Sequence, residues 1–167
     1  SLGGTSTQVG GLSGDGAVVV GTSEDASGTF RSFIWSPGLG IQLLAPALTE
    51  SSVATGISQD ASVVVGTITT SGQSRAFQWT ATTGITDLIV PPAVLGSSAT
   101  AISADGNVVV GVIYDFQLGD RGYYWTAALG VHDLGAALSV RAEPRSVSHD
   151  GAVIVGTLGV SWQPRAF

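Results

Sequence analysis

One short string returns along this chain at a fixed interval. A Val-Val-Val-Gly string occurs three times and a Val-Ile-Val-Gly string once, each 45 residues after the one before, beginning at Val18, Val63, Val108 and Val153. A Ser-x-Asp turn sequence precedes each string, with its aspartate at Asp15, Asp60, Asp105 and Asp150. Self-similarity at a period of roughly 20 to 50 residues is typical of repeat architectures. The sequence therefore predicts stacked copies of one small unit.

Each copy continues into an alternating Arg-x-aromatic-x-Trp element, followed five residues after the Trp by a glycine. The element is complete at Arg31, Arg75 and Arg121, and incomplete at Arg165, because the sequence stops at Phe167. The intervening segments alternate in polarity, and Asp-Gly pairs between them are strong hairpin signals. No segment places apolar residues at helical spacing. We expect four short antiparallel strands per copy, with only three in the last copy.

Four antiparallel strands within about 45 residues match the size of a β-propeller blade. The predicted fold is all-β and β-propeller-like, in one domain whose four repeats span approximately residues 5–48, 49–94, 95–139 and 140–167. A β-solenoid is the alternative, although solenoid coils are usually shorter and lack Asp-Gly hairpins. The open strand edge of the last copy implies that the chain is part of a longer protein, that another chain supplies the strand, or that a ring of more than four blades is assembled from separate chains.

Charge and composition exclude several classes of function. The net charge of −6 comes from 12 acidic residues against 6 arginines, and such a charge repels the phosphates of nucleic acids. The absence of cysteine removes disulfides, thiolate nucleophiles and Cys-based metal sites. No apolar run approaches the roughly 18 residues of a membrane-spanning helix. We therefore expect no nucleic-acid partner, no membrane insertion and no cofactor.

The repeated polar and aromatic residues are expected to serve the fold. Aspartates in Ser-x-Asp turns bind nearby backbone N–H groups, and a single carboxylate per turn is too little for a calcium site. The repeated arginines are expected to pair with repeated acids such as Asp87 or Asp133. The repeated tryptophans are expected to pack between repeats: Trp35, Trp79 and Trp125.

Catalytic signatures are scarce. His132 and His149 stand in variable positions of the repeat, outside any Ser-His-Asp arrangement, and are expected to face solvent. Paired carboxylates such as Glu24 with Asp25, or Asp115 with Asp120, are the residue type that glycosidases use. They lie in loops without a neighbour that would tune a pKa. We therefore predict no catalytic and no metal-binding residues.

The variable loops hold the candidate contact residues. Loops between the second and third strands, and between repeats, share one face of a propeller, and function tends to sit on such loops. Tyr114, Phe116 and Trp162 lie outside the repeat register, where large aromatics suit a carbohydrate or protein contact; loop packing is the alternative. Arg141 and Arg145 are the basic residues outside the repeat, suited to a partner contact or simply to a solvated loop.

The combined motifs resemble a known repeat family. Leu2-Gly3-Gly4, the S-x-D-G-x-V-V-V-G string, Arg75-Ala76-Phe77-x-Trp79 and Gly84-Ile85-x-Asp87-Leu88 are similar to the HAF repeats of bacterial extracellular proteins. The resemblance covers all four copies and implies a secreted or surface-displayed protein, often an autotransporter passenger, with a propeller-like fold. Arginine stands at the position of the family's name-giving histidine, and the resemblance supplies no catalytic residue.

These observations predict a non-enzymatic, extracellular or surface-displayed bacterial repeat scaffold that mediates binding or adhesion to a protein or glycan. One alternative is a structural oligomerisation module whose open strand edge is closed by another chain. A second alternative is a propeller-type carbohydrate-active enzyme.

Overall fold

Short strands account for almost all regular structure in the computed structural model, which describes residues 2–88, 94–116, 119–135, 141–160 and 163–166. The described residues hold fifteen strands in four antiparallel sheets. The expected all-β class is therefore confirmed. The described residues contain no helix that is long and apolar enough to cross a membrane.

Each sheet is a meander whose strands pair in chain order. Sheet 1 contains β1 (Gly3–Leu12), β2 (Val19–Asp25), β3 (Phe30–Ser36) and β4 (Gly40–Leu43). Sheet 2 contains β5 (Ser52–Ile57), β6 (Val63–Thr70), β7 (Gln73–Thr80) and β8 (Gly84–Asp87). Sheet 3 contains β9 (Gly96–Ile102), β10 (Val108–Tyr114), β11 (Arg121–Thr126) and β12 (Gly130–Asp133). Sheet 4 contains β13 (Arg141–Val147), β14 (Ile154–Val160) and β15 (Gln163–Ala166).

The Ser-x-Asp turns join the first two strands of every sheet. In sheet 2, the Ser58 hydroxyl donates to Asp60 at 2.7 Å and accepts a hydrogen bond from the Val63 N–H at 3.0 Å. Asp60 also accepts from the Ser62 N–H at 3.0 Å. The same bonds recur in the turns at Asp15, Asp105 and Asp150. The aspartates therefore hold the hairpin turns, as the sequence predicts.

Two apolar clusters lie between neighbouring sheets. Successive side chains of a strand point to opposite faces, so Val64 packs with Val20 of sheet 1, while Val65 packs with Ala99 of sheet 3. Both central valines are fully buried, and burying one such side chain contributes about 1.5 to 3 kcal/mol. The valine string thus supplies the core on both sides of a sheet at once.

The glycine that ends each valine string makes room for an aromatic ring of the next strand. Gly66 pairs with Phe77, and a Cβ added at Gly66 would lie 2.0 Å from the Val53 carbonyl oxygen and 2.8 Å from the Phe77 ring. Gly111 and Tyr123 repeat this arrangement in sheet 3. The close approach explains why the sequence repeats a glycine here instead of a fourth valine.

Hydrogen bonds also join one sheet to the next. The Gly14 N–H donates to the Gln59 carbonyl at 2.8 Å, the Gln59 N–H to Ala104 at 2.8 Å, and the Asp105 N–H to His149 at 3.2 Å. These bonds connect the Ser-x-Asp turns in sequence order. Neighbouring sheets are therefore held in a fixed register by backbone bonds as well as by apolar packing.

Candidate functional site

The strand order gives the sheets two distinct ends. The turns between first and second strands lie at one end of every sheet, together with the turns between third and fourth strands in sheets 1 to 3, and we call this end the turn face. The turns between second and third strands, together with the connections between sheets, lie at the other end, which we call the loop face.

One cleft lies on the turn face, between sheets 1 and 2. Its volume is about 550 Å³. Leu39 and Gln42 line it from sheet 1, and Ser62, Trp79 and Thr82 line it from sheet 2. None of the described residues that line this cleft carries a charge. The cleft therefore combines an indole ring and aliphatic carbon with neutral hydroxyl and amide groups.

A second cleft of about 300 Å³ lies at the equivalent place between sheets 2 and 3. Asn107, Trp125 and Ala128 line it, at the repeat positions that Ser62, Trp79 and Thr82 occupy in the larger cleft. From the sequence, Trp79 and Trp125 were predicted only to pack between repeats, and the contact residues were expected on the variable loops, so the clefts were missed. The sequence signal for the clefts was the change in residue type, from copy to copy, between each Trp and the following glycine.

The described loop-face candidates lie at the loop-face ends of strands in sheets 3 and 4. Tyr114 ends β10, and its hydroxyl lies 3.0 Å from the Ser98 hydroxyl. Phe116 follows in the loop and is 86% exposed. Trp162, the third aromatic candidate, lies outside the described residues. Tyr114 therefore contacts its own sheet through its hydroxyl, whereas the Phe116 ring is exposed to solvent.

Ion pairs join residues at both ends of the connection between β10 and β11 to neighbouring strands. Arg121 pairs with Asp115 at 3.0 Å and also with Asp133, which places one guanidinium between two carboxylates. Arg141 pairs with Asp120, next to the start of β11. The expected pairing of the repeated arginines with acids is seen here and also for Arg75 with Asp87, at 2.7 Å.

Arg145 occupies a different place from the other candidates. It is the extra residue at a register shift in β13, on the innermost strand of sheet 4, and it pairs with Glu143 at 3.0 Å. The Arg145 side chain is largely exposed, and that of Glu143 is partly buried. The structure therefore groups Tyr114, Phe116 and Arg141 toward the loop face and separates Arg145 from them.

One of the two histidines differs from expectation. His149 is exposed, as predicted, but His132 is stacked on Tyr124 with ring centroids 4.9 Å apart, and its Nε2 is buried without a hydrogen-bond partner. The prediction of a solvent-facing His132 is wrong because β11 and β12 place these two residues directly opposite each other. Rings at such paired positions are close enough to stack.

The carboxyl groups of sheet 1 are held in their ionised form. A hydrogen bond from the Thr5 hydroxyl lowers the pKa of Glu24, and one from the Ser27 hydroxyl lowers the pKa of Asp25. A glycosidase acid requires the opposite shift, so that it carries a proton near neutral pH. Neither Glu24 nor Asp25 therefore has the raised pKa expected of a glycosidase acid. The described residues also contain no group of three His, Asp or Glu side chains placed to hold a metal ion.

Comparison with solved structures places this arrangement among propellers. The TolB structure from Acinetobacter baumannii matches 96% of this chain and 40% of its own length, with a TM-score of 0.69 and 13% identity. A TolB candidate from Agrobacterium tumefaciens matches 93% of this chain and 58% of its own length, with a TM-score of 0.71 and 14% identity. The chain thus spans about half the length of these structures. No protein-family model and no curated protein matches the sequence. The similarity supports a β-propeller-like fold.

Proposed function

We propose that this chain is a non-enzymatic, extracellular or surface-displayed bacterial repeat scaffold that binds a glycan or a protein. The observation that carries the proposal is the uncharged cleft between sheets 1 and 2. Sheets that are locked together by turn-to-turn hydrogen bonds give such a cleft a fixed shape, and a preformed shape lowers the ordering cost of binding. The HAF-like motifs support the location outside the cytoplasm.

The lining of the cleft suits a neutral saccharide. The indole of Trp79 offers an apolar surface with a polar N–H, which matches a sugar ring with its C–H faces and hydroxyl edges. The hydroxyls of Ser62 and Thr82 and the amide of Gln42 provide neutral donors and acceptors. The volume of about 550 Å³ falls within the roughly 300 to 1,000 Å³ of small-molecule sites.

A glycan array followed by calorimetry on the neutral oligosaccharides that bind tests this function. Leu39→Arg would place a long charged side chain at the mouth of the cleft, because Leu39 is 71% exposed and lines it. Leu129→Arg is the matched control, at the same turn position of sheet 3 with 66% exposure. We expect Leu39→Arg to weaken binding at least tenfold and Leu129→Arg to leave it unchanged. Equal affinity in both variants, or no neutral glycan bound, would contradict the assignment of a glycan to this cleft.

A protein contact on the loop face is the second candidate, and the exposure of Phe116 favours it. Aromatic residues and arginine are enriched at protein interfaces, and Arg141 begins β13, at the loop-face end of sheet 4. Adhesion of chain-coated beads to host cells would test this contact. Phe116→Ser is expected to abolish adhesion while Leu39→Arg retains it, and loss in Leu39→Arg alone would assign adhesion to the cleft.

A further inference from the structure

The cleft between sheets 2 and 3, the second cleft, has the same kind of lining as the cleft between sheets 1 and 2, the first cleft. Each contains an indole ring, a threonine that directly follows the tryptophan, and a polar residue two positions after a turn aspartate. These residues are Trp79, Thr80 and Ser62 in the first cleft, and Trp125, Thr126 and Asn107 in the second. Both clefts are therefore built from the same three positions of the repeat.

The polar groups of the second cleft are oriented by the protein itself. The Asn107 side chain donates to Asp105 at 3.0 Å, which holds its amide group in place. The Thr126 hydroxyl accepts from the Leu129 N–H at 3.2 Å, and a hydroxyl that accepts one hydrogen bond still has its own proton to donate. None of the described residues that line this cleft carries a charge. Oriented neutral groups beside an indole ring suit a sugar residue here as they do in the first cleft.

Sheet 2 alone separates the two clefts. Gln78 and Trp79 are neighbours in β7, and successive side chains of a strand point to opposite faces of the sheet. Trp79 therefore lines the first cleft, whereas Gln78 lines the second. Packed sheets lie about 10 Å apart, so the two clefts are separated by about the same distance. A saccharide that fills both clefts must be an oligosaccharide.

The turn of sheet 2 that lies between the clefts is small and neutral. It joins β7 to β8 through the sequence Thr-Ala-Thr-Thr at residues 80–83, of which residues 81–83 are exposed. The Thr83 N–H donates to the Thr80 hydroxyl at 3.1 Å, and the two hydroxyls lie 2.7 Å apart. The equivalent turns of sheets 1 and 3 instead expose Leu39 and Leu129. A chain of sugars that passes from one cleft to the other therefore meets hydroxyl groups and no large or charged side chain on this turn.

We propose that the second cleft is a second sugar-binding site, and that one neutral oligosaccharide occupies both clefts and crosses the turn at residues 80–83. The inference rests on the proposed function, because it takes the first cleft as a site for a neutral saccharide. A ligand that links two sites makes the second binding event intramolecular, which raises the affinity without strong binding in either cleft. The Gln59 N–H donates to the Ala104 carbonyl at 2.8 Å, between sheets 2 and 3, and such bonds fix the spacing of the clefts. The affinity therefore depends on the length of the glycan chain.

Calorimetry with saccharides of increasing length tests the proposal on the 167-residue chain. The probe is the neutral oligosaccharide that binds most tightly on the glycan array, titrated as a series from its disaccharide to its hexasaccharide. We expect the affinity of the unchanged chain to rise at least tenfold along the series, because only the longer members reach both clefts. The disaccharide measures binding in single clefts and so tests the proposed function separately.

Ala128→Arg blocks the second cleft, because Ala128 is exposed and lines it. We expect this variant to lose the rise in affinity with length and to bind one disaccharide fewer per chain. Leu129→Arg is the matched control, because Leu129 is the next residue of the same turn and is not among the described residues that line either cleft. It should keep both the rise and the number of disaccharides bound. Asn107→Ala is a second variant, which should reduce the rise at least threefold; alanine already occupies this turn position in sheets 1 and 4, at Ala17 and Ala152.

The contrary results separate this proposal from the proposed function. An affinity that does not change with length, or an equal rise in Ala128→Arg and Leu129→Arg, would overturn the second site, while disaccharide binding that Leu39→Arg weakens would still support the first cleft. Binding lost at every length in Ala128→Arg and unchanged in Leu39→Arg would assign a single site to the second cleft and contradict both proposals. Circular dichroism verifies that the variants fold, and Asn107→Ala replaces Ala128→Arg if the arginine variant does not.

Discussion

The hydroxyl of Thr55 donates a 3.0 Å hydrogen bond to the carbonyl of Ala99, across the junction between sheets 2 and 3. Thr100 makes the same bond to Pro144, also at 3.0 Å, between sheets 3 and 4. Both threonines are the extra residue where the register of the innermost strand shifts. A bulge of this kind changes the direction in which a side chain points. The register shift within one sheet therefore lets the threonine hydroxyl bond to the next sheet.

Removing this hydroxyl should weaken the junction without disturbing the strands. Thr55→Val keeps the branched shape, and we expect it to lower the free energy of unfolding by about 1 kcal/mol, the usual contribution of such a bond. Thr55→Ser retains the hydroxyl and should lose less. Urea denaturation of the three proteins measures the difference, and equal stability of the Val and Ser variants would show that the bond contributes little.

Gly66→Ala should be strongly destabilising. The added Cβ would lie 2.0 Å from the Val53 carbonyl oxygen, and backbone cannot move away from it without breaking the pairing of β5 with β6. We expect a loss of about 3 kcal/mol or more, at the upper end of overpacking effects. Gly38→Ala is the control, because no atom lies within 4 Å of its added Cβ, and thermal unfolding should leave it within about 0.5 kcal/mol. Similar melting of both variants would contradict the steric explanation.

Ala61→Gly should stabilise the protein. Ala61 has φ of 59°, in the left-handed region where the other three turns have a glycine. A residue with a Cβ is strained by about 1 to 2 kcal/mol in this region. Glycine relieves the strain, but its greater flexibility in the unfolded chain offsets part of the gain in stability. We expect a gain of about 0.5 to 1 kcal/mol in urea unfolding. Ala17→Gly, at a neighbouring turn position with ordinary φ, should give no gain, and a gain from both substitutions would point to another cause.

Acid should loosen the Ser-x-Asp turns. Hydrogen bonds from Ser58 and Ser62 lower the pKa of Asp60 from 3.8 to about 2, and those in the other turns lower the pKa of Asp15, Asp105 and Asp150. A depressed native pKa stabilises the fold above the unfolded value, and this stability is lost as pH falls through the native value. The urea midpoint should therefore fall between pH 3.8 and about 2. Asp60→Asn should make the dependence of the urea midpoint on pH less steep in this range. An unchanged slope would show that protonation of Asp60 does not cause the fall.

Tyr123→Phe should be neutral or stabilising. Tyr123 is fully buried in the apolar cluster between sheets 2 and 3, and its hydroxyl has no hydrogen-bond partner; burial also raises the pKa of this hydroxyl. Phe33 and Phe77 occupy the same position in sheets 1 and 2. Removing an unpaired buried hydroxyl should add up to about 1 kcal/mol. Phe77→Tyr is the converse variant, and calorimetry should show it less stable; a stability loss in Tyr123→Phe would indicate a partner for the hydroxyl.

The strands and turns were predictable because their causes are local. An Asp in a Ser-x-Asp turn bonds backbone groups within a few residues, and the valine string buries both faces wherever it lies in a sheet. Contacts between sheets were harder to predict. Nothing in a strand's alternation shows that Thr55 is an extra residue at a register shift, and the stacking of His132 on Tyr124 depends on which residues two strands place opposite each other.

The candidate site was predicted least well for a related reason. Repetition correctly identified Trp79 as a packing residue, but the same residue also lines the cleft between two sheets. A cleft depends on how far neighbouring sheets spread at one end, and this property belongs to no single repeat. Phe116 was identified because it interrupts the repeat, and its side chain is exposed to solvent.

The hydrogen bonds that run from Gly14 to His149 join the same Ser-x-Asp turn of successive 45-residue units. A recombination event between two such units would delete or duplicate one whole sheet and still rejoin matched donors and acceptors. Relatives built from this unit should therefore differ in length by whole multiples of it, and the number of sheets can change during evolution without redesign of any junction.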